Sequence, residues 1–251
     1  MTKSTRHPTH PRPWFEAAFD DDYLARYAHR DESEAARLVA AVDRAHGWEG
    51  PVLDLACGGG RFLRAAPRSV TAVGCDLSLP LLSAAQDAGR PLVRGDMRQL
   101  PFRTRSLRRV VLLFTSFGYF ETREEDAVVL SEIARVLGSG GLFVLDFFDA
   151  VQVQAGLTPS SSRSVDGAQV AERRWIDPTG PFVMKEVSVT RGVSTRRHFE
   201  RVRLYSRDEL VGLVERAEFT VRSIWGDYDG GPFVSGESLR CLVLATRRES
   251  M

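Results

Sequence analysis

The chain has 251 residues, 43% hydrophobic and 27% charged, the profile of an ordinary globular protein rather than a disordered one. Its 33 acidic residues nearly cancel 34 basic ones, leaving a net charge of +1, which argues against a dedicated nucleic-acid binder with a strong basic excess. All but two of the bases are arginine, the lysines being Lys3 and Lys185, a bias read as compositional.

Residues 1–13, polar and with three prolines, read as a disordered tail without the apolar stretch of a signal peptide. Residues 14–50 read as an N-terminal helical cap. Trp14, Phe15, Ala18 and Phe19, then Leu24, Tyr27 and Ala28, then Ala35, Leu38, Val39 and Val42 fall at helical spacing, and Gly47 and Gly50-Pro51 end the run. Strands and helices then alternate. A strand over 51–56 opens into Gly58-Gly59-Gly60 and a helix at 61–66. A second strand spans 70–76, followed by a helix over 78–88 with Ser78 at its N-cap and Pro80 in its first turn. Strands follow at 91–95 and at 109–115, the latter apolar on both faces as a buried parallel strand requires. An amphipathic helix over 124–137, stopped by glycines, precedes a fifth strand at 142–148.

Such alternation predicts an α/β fold, a Rossmann-like, mostly parallel sheet with helices on both faces. Ligands of such sheets bind at the carboxyl ends of the strands, here 54–60, 76–77, 96–97, 115–119 and 146–149. Past residue 148 the pattern changes. The Ser- and Pro-rich stretch 157–164 reads as a loop, and 169–176, 183–191 and 197–205 alternate like antiparallel strands. Segment 151–205 is therefore expected to be a small antiparallel β insertion serving as a substrate lid. A helix over 206–217, with Ser206 and Glu209 as a capping box, and strands at 219–225 and 239–246 close the sheet at seven strands. The expected organisation is a single domain over 14–251, with the cap at 14–50, the core at 51–148, the lid at 151–205 and the closing elements at 206–251.

The informative stretch is Val52-Leu53-Asp54-Leu55-Ala56-Cys57-Gly58-Gly59-Gly60-Arg61. A glycine turn between strand and helix lets a ligand approach the backbone and the free helix N-terminal N–H groups. Leu63 occupies the third glycine position of a dinucleotide fingerprint, and no Gly-Lys-Ser/Thr follows, so neither a nicotinamide site nor a P-loop fits. The stretch resembles motif I of class I S-adenosylmethionine-dependent methyltransferases. Residues 74–78 (GCDLS), 94–102 (RGDMRQLPF), 113–120 (LFTSFGYF) and 130–146 (LSEIARVLGSGGLFVLD) resemble that family's later motifs in order, and the chain ends resemble its small-molecule-type subgroup.

The resemblance implies S-adenosylmethionine as cofactor and S-adenosylhomocysteine as product. Asp76 would accept the ribose hydroxyls, Leu77 would pack on adenine, Asp96 would accept from the adenine amino group, and Met97 would lie beside the ring. Asp54 would fix the glycine loop and reach the methionine amino group, while Ala56, Gly58 and Gly60 allow close backbone approach. Phe114 and Thr115 sit where the fourth strand meets the cofactor, and Tyr27 would close over the methionine carboxylate.

Methyl transfer from a sulfonium is an in-line displacement that proximity, alignment and water exclusion can drive, with a general base optional. Candidate base or orienting groups are Tyr119, His198, Asp227 and Tyr228, placed near predicted strand tips or the lid. The five histidines form no His-x-x-x-His pair, so no metal is expected. The tip Thr115-Ser116-Phe117-Gly118-Tyr119 lacks the Asn/Asp-Pro-Pro-Tyr sequence of nucleic-acid amino methyltransferases, which favours a small-molecule acceptor. An RNA or tRNA methyltransferase, and a cofactor-binding protein without catalysis, are the alternatives. The arginines of the insertion, such as Arg173, Arg174, Arg196, Arg197 and Arg201, are compatible with a solvated strand face or with an anionic substrate. Three cysteines, Cys57, Cys75 and Cys241, are too scattered for a disulfide framework or zinc site and read as reduced thiols of a cytoplasmic protein. No apolar run is long enough to span a bilayer, so no membrane partner is expected. A monomer and a homodimer are both compatible with the sequence.

Overall fold

The computed structural model describes residues 13–20, 23, 27, 32–165 and 167–249. Residues 1–12 of the tail expected over 1–13, and Leu24 and Ala28 of the expected helical cap, lie outside them. A seven-stranded sheet runs in the order β10-β11-β5-β4-β1-β2-β3. Its strands are β1 (Val52–Leu55), β2 (Ala72–Asp76), β3 (Leu92–Arg94), β4 (Leu107–Leu112), β5 (Leu137–Phe148), β10 (Phe219–Trp225) and β11 (Arg240–Arg247). Neighbours from β3 through to β5 pair in parallel, and β11 lies antiparallel between β5 and β10. The chain order reverses between β1 and β4, the switch point at which open α/β sheets bind ligands.

The helices are α1 (Trp14–Ala18), α2 (Ser33–His46), α3 (Arg61–Ala65), α4 (Leu79–Ala84, continued by a 3-10 turn), α5 (Arg123–Val136), α6 (Ala150–Gly156) and α7 (Arg207–Arg216). The period-two geometry of the strands splits the core into two layers. Leu53, Leu55, Val110, Leu112, Phe143 and Leu145 pack against α5 and α7, while Val52, Val111, Leu142 and Val144 pack against α2 and α3. Both faces of the central strands are thus buried over β1 and over residues 110–112 of β4, which is why these stretches read as apolar runs. Ser78 caps α4 and Ser206 caps α7, the latter as a full capping box with Glu209.

Within the expected helical region 14–46, the described residues form α1 ending at Ala18, a helical Tyr23 and α2 starting at Ser33. Two sequence expectations differ from the structure, the start of β5 and the loop expected at 157–164. Strand β5 begins at Leu137 and takes in the glycine run, where a register shift against β4 and a left-handed Gly140 (φ +68°) form an irregular strand start. The stretch expected to be a loop at 157–164 holds an exposed edge strand, β6 (Ser160–Val165), after α6. Serines on an edge strand bury nothing, so no apolar alternation announced it. Strand β6 opens a separate four-stranded antiparallel sheet with β7 (Ala168–Ile176), β8 (Phe182–Arg191) and β9 (Ser194–Arg203), in sequential order.

All three cysteines are free and buried. No helix among the described residues is long and apolar enough to cross a membrane.

One buried charge ties α5 to the chain after β9. Asp126 is fully buried, accepts a 2.7 Å hydrogen bond from Tyr205 Oη and lies 3.4 Å from Arg203 Nε. Burial outweighs these partners and pushes its carboxyl up to about 6. The native state therefore holds this proton to higher pH than the unfolded chain does. The stability linked to it is full below the unfolded value near 4 and declines as pH rises through about 6. Denaturant unfolding should show D126N gaining on wild type by on the order of 3 kcal/mol between about pH 4 and pH 7.5. Parallel pH profiles for the two proteins would contradict this.

Candidate functional site

A cavity of about 640 Å³ opens at the carboxyl ends of β1, β2 and β4, beneath α1 and the residues after it. Its floor is the turn after β1. Ala56 (φ +54°), Gly58 (φ +53°) and Gly60 (φ +84°) are left-handed. At Gly60 a Cβ would also come within 3.1 Å of the Ala85 Cβ, so glycine is required there on two counts.

Asp76, at the end of β2, holds this turn in place. Its Oδ2 accepts from Gly58 N–H at 2.8 Å, and its Oδ1 accepts from Ser78 N–H at 2.8 Å. One carboxylate therefore fixes both the glycine loop and the start of α4, with lone pairs left over facing the cavity. Burial raises its carboxyl above the usual range, opposed by the N–H groups of Ser78, Gly58 and Leu77.

Asp54 lies beside it, 3% exposed, and its Oδ2 is buried with no hydrogen-bond partner among the described residues. Burial first, and the neighbouring Asp76 charge second, push its carboxyl well above the ordinary range, while Arg61 opposes. A buried acidic pair with an unmatched oxygen is costly unless a donor or cation arrives. The wall therefore suits a ligand bearing positive charge and hydroxyl donors.

Leu77, Asp96 and Met97 line the next stretch of wall. Asp96 forms a forked pair with Arg98 (2.8 Å and 3.2 Å) and accepts from the Arg98 backbone N–H. Burial opposes, but these Arg98 hydrogen bonds and its charge hold the carboxyl below its usual value. Phe114 closes the floor beyond β4, with its ring 3.6 Å from the Arg61 guanidinium carbon. Its left-handed backbone is pinned by a 2.7 Å hydrogen bond from its N–H to Asp146 Oδ2.

The structure brings Tyr27, Asp54, Ala56, Gly58, Asp76, Leu77, Asp96, Met97, Phe114 and Tyr119 to this cavity. Other expected site residues lie elsewhere. Gly60 starts α3 behind the loop. Thr115 is held from behind by Arg240 at 2.9 Å. Tyr228 is buried under the floor, donating to Asp146 Oδ2 at 3.0 Å, with burial and the Asp146 charge raising its phenol. Asp227 accepts two backbone N–H bonds within its own turn. His198 sits on β9, its Nδ1 3.7 Å from Asp20 Oδ2. Tyr119 lines the cavity, but its hydroxyl donates to the Thr115 carbonyl at 2.8 Å.

Sequence reasoning missed the outer wall of Phe15, Glu16, Phe19, Asp20 and Tyr23. Its only signal was aromatic helical spacing, which a core helix shares. It also missed Asp146 as the anchor of the β4 tip, although the residue stood at a predicted strand end.

Residues 52–141 match the model of a methyltransferase domain family. A tRNA (carboxymethyluridine(34)-5-O)-methyltransferase of Arabidopsis thaliana is 27% identical over 135 residues, 52% of this chain and 31% of its own length. The chain thus spans about a third of that relative. A dTDP-3-amino-3,6-dideoxy-alpha-D-glucopyranose N,N-dimethyltransferase of Streptomyces fradiae is 29% identical over 216 residues, 82% of each chain. An S-adenosylmethionine-dependent methyltransferase structure from Clostridium acetobutylicum matches with a TM-score of 0.76 at 16% identity, covering 91% of this chain and 96% of that one. Sheet order and glycine loop are those of the Rossmann-like fold shared with these methyltransferases, and residues 52–141 carry the similarity to their methyltransferase domain. S-adenosylmethionine carries a ribose diol, an ammonium and a sulfonium, which fit the acidic wall of Asp54 and Asp76.

Proposed function

We propose that the protein transfers a methyl group from S-adenosylmethionine to an amine nitrogen of a small molecule. The observation that carries the acceptor class is the outer wall. Phe15, Glu16, Phe19, Asp20, Tyr23 and Tyr119 line it together, and among the described lining residues the arginines, Arg61, Arg64 and Arg94, come from α3 and β3 rather than from this wall. Aromatic faces with carboxylates suit a basic nitrogen. The Streptomyces relative, whose name gives an amino sugar nucleotide as acceptor, supports the reading.

On the cofactor side, Asp76 would accept the ribose hydroxyls, Leu77 and Met97 would flank the adenine, and Asp96 would accept from its amino group. Asp54 and the backbone at Ala56 and Gly58 would hold the amino-acid tail, with Tyr27 at its carboxylate end. The cofactor supplies a methyl group already activated on a positively charged sulfur. The chain's own residues align the amine with it and keep water out. Glu16 and Asp20 orient the nitrogen and take up the proton it sheds. The Tyr119 hydroxyl, committed to Thr115, steadies the wall.

The test is S-adenosylhomocysteine release with a panel of amines, amino sugar nucleotides among them, alongside tRNA transcripts as the other arm. Turnover should require an amine. Asp20→Asn and Glu16→Gln should each raise its KM about tenfold while leaving the cofactor KM unchanged. Turnover with tRNA alone, or amine KM values indifferent to both substitutions, would reject the reading.

A further inference from the structure

The insertion was expected to cover the substrate, yet none of the described residues lining the cavity comes from β6 to β9; the lining runs from Phe15 to Phe120. The four-stranded sheet reaches the cavity at one remove. Lys185 on β8 and Glu200 on β9 are cross-strand partners, and both meet the hydroxyl of Tyr27, which is buried in the cavity wall. Tyr27 Oη donates to Glu200 Oε1 at 2.5 Å and accepts from Lys185 Nζ. That ammonium also lies 3.5 Å from Glu200 Oε2, 3.9 Å from Glu172 Oε1 on β7 and 4.5 Å from the Tyr27 ring centroid. Two residues back along β9, and so on the same face of the strand, His198 faces Asp20.

The identity of residue 185 carries information of its own. Apart from Lys3, every other basic residue in this chain is arginine. A guanidinium is a wide planar fork, whereas an ammonium is a compact point charge with three donors. Position 185 needs the point charge, because one nitrogen must serve a phenol oxygen, two carboxylates and a ring face together.

We propose that Lys185 and Glu200 are positioning residues that hold Tyr27 in the cofactor wall, and that the insertion acts on the site through this contact rather than by touching a ligand. The proposal rests on the reading of Tyr27 as a cofactor-side residue.

Calorimetric titration of S-adenosylhomocysteine into wild type, Y27F, K185M, K185R, E200Q and Y27F/K185M tests it, with thermal unfolding recorded for each. Y27F and K185M should each raise Kd about tenfold, K185R about fivefold, and Y27F/K185M no more than Y27F alone within about twofold, because the two side chains act as one unit. E200Q keeps the shape of the side chain and carries the test if K185M folds poorly, with Kd expected to rise about fivefold. Independent, multiplying losses in Y27F/K185M, or wild-type affinity in Y27F or in both K185M and E200Q, would overturn the proposal. Binding of this product needs no acceptor, so a wrong acceptor class leaves these outcomes untouched. A wrong cofactor reading would show separately, as wild-type protein that does not bind.

Discussion

Asp76→Ala is expected to weaken S-adenosylhomocysteine binding about a hundredfold or more and to lower the melting temperature as well. The carboxylate accepts the N–H groups of Gly58 and Ser78 at 2.8 Å each. Removing it strands two half-buried donors at a cost of about 1 kcal/mol or more apiece, and for a chain of this size each kcal/mol corresponds to about 2–4 °C. A fall of roughly 5–10 °C follows for the unliganded protein. Affinity falls further, because the ribose loses a charged acceptor and the loop that carries Ala56 and Gly58 loses its anchor. Asp76→Asn separates the two effects. It keeps the shape and one acceptor oxygen, so much of the stability returns while affinity stays at least tenfold down, the loss expected when a charge-assisted bond becomes a neutral one. Calorimetry and thermal scans on the two variants decide it. Near-normal affinity in Asp76→Ala beside a lowered melting temperature would make the residue a loop anchor and nothing more.

The parts of this protein legible in its sequence are those fixed by local rules. Alternating apolar runs and glycine turns marked the parallel core, and the Ser206 and Glu209 box marked the start of α7. Asp76 was legible because a carboxylate at a strand tip beside a glycine loop has few other uses. Illegible parts depend on closure over long sequence distances. Tyr228 looked like a cavity residue until β11, inserted beside β5, brought it to Asp146, 82 residues away. The strands of the insertion were legible from alternation, but alternation says nothing of what a sheet face meets. Lys185 finds Tyr27 across 158 residues. The outer wall was hidden for a different reason: Phe15, Phe19 and Tyr23 have the spacing of a core helix, and only the fold places them over an open cavity.

The largest loss of stability is expected from Asp146→Ala. This carboxylate is fully buried on β5 and accepts from four donors: Phe114 N–H at 2.7 Å, Tyr228 Oη at 3.0 Å, and Arg240 through Nε at 2.9 Å and Nη2 at 2.6 Å. Its partners fold the tip of β4 into place. Phe114 and Thr115 are both left-handed, at φ +57° and +62°, a conformation that costs on the order of 1 kcal/mol per non-glycine residue and persists only where surroundings impose it. The Asp146 carboxylate fixes the first of these residues directly and the second through the Arg240 contact to Thr115, whose own N–H donates to the Asp146 main-chain carbonyl at 3.2 Å. Breaking such a pair from one side leaves a cation without its counter-charge and costs about 3–5 kcal/mol. The Arg240 side chain keeps 22% exposure, so the lower end applies, and a fall of about 10 °C in melting temperature is expected. Removing both charges in Asp146→Leu with Arg240→Met should return most of that stability, since an apolar pair of similar volume removes the stranded cation. Activity should not return with it. Phe114 N–H would still lack its acceptor, the β4 tip would relax, and the ring that Arg61 covers would leave the cavity floor, cutting kcat about tenfold or more. Thermal scans and turnover on the single and double variants measure both quantities. A double variant with wild-type kcat would show that the strained tip serves folding alone, whereas recovered stability with depressed turnover assigns the left-handed pair to the site.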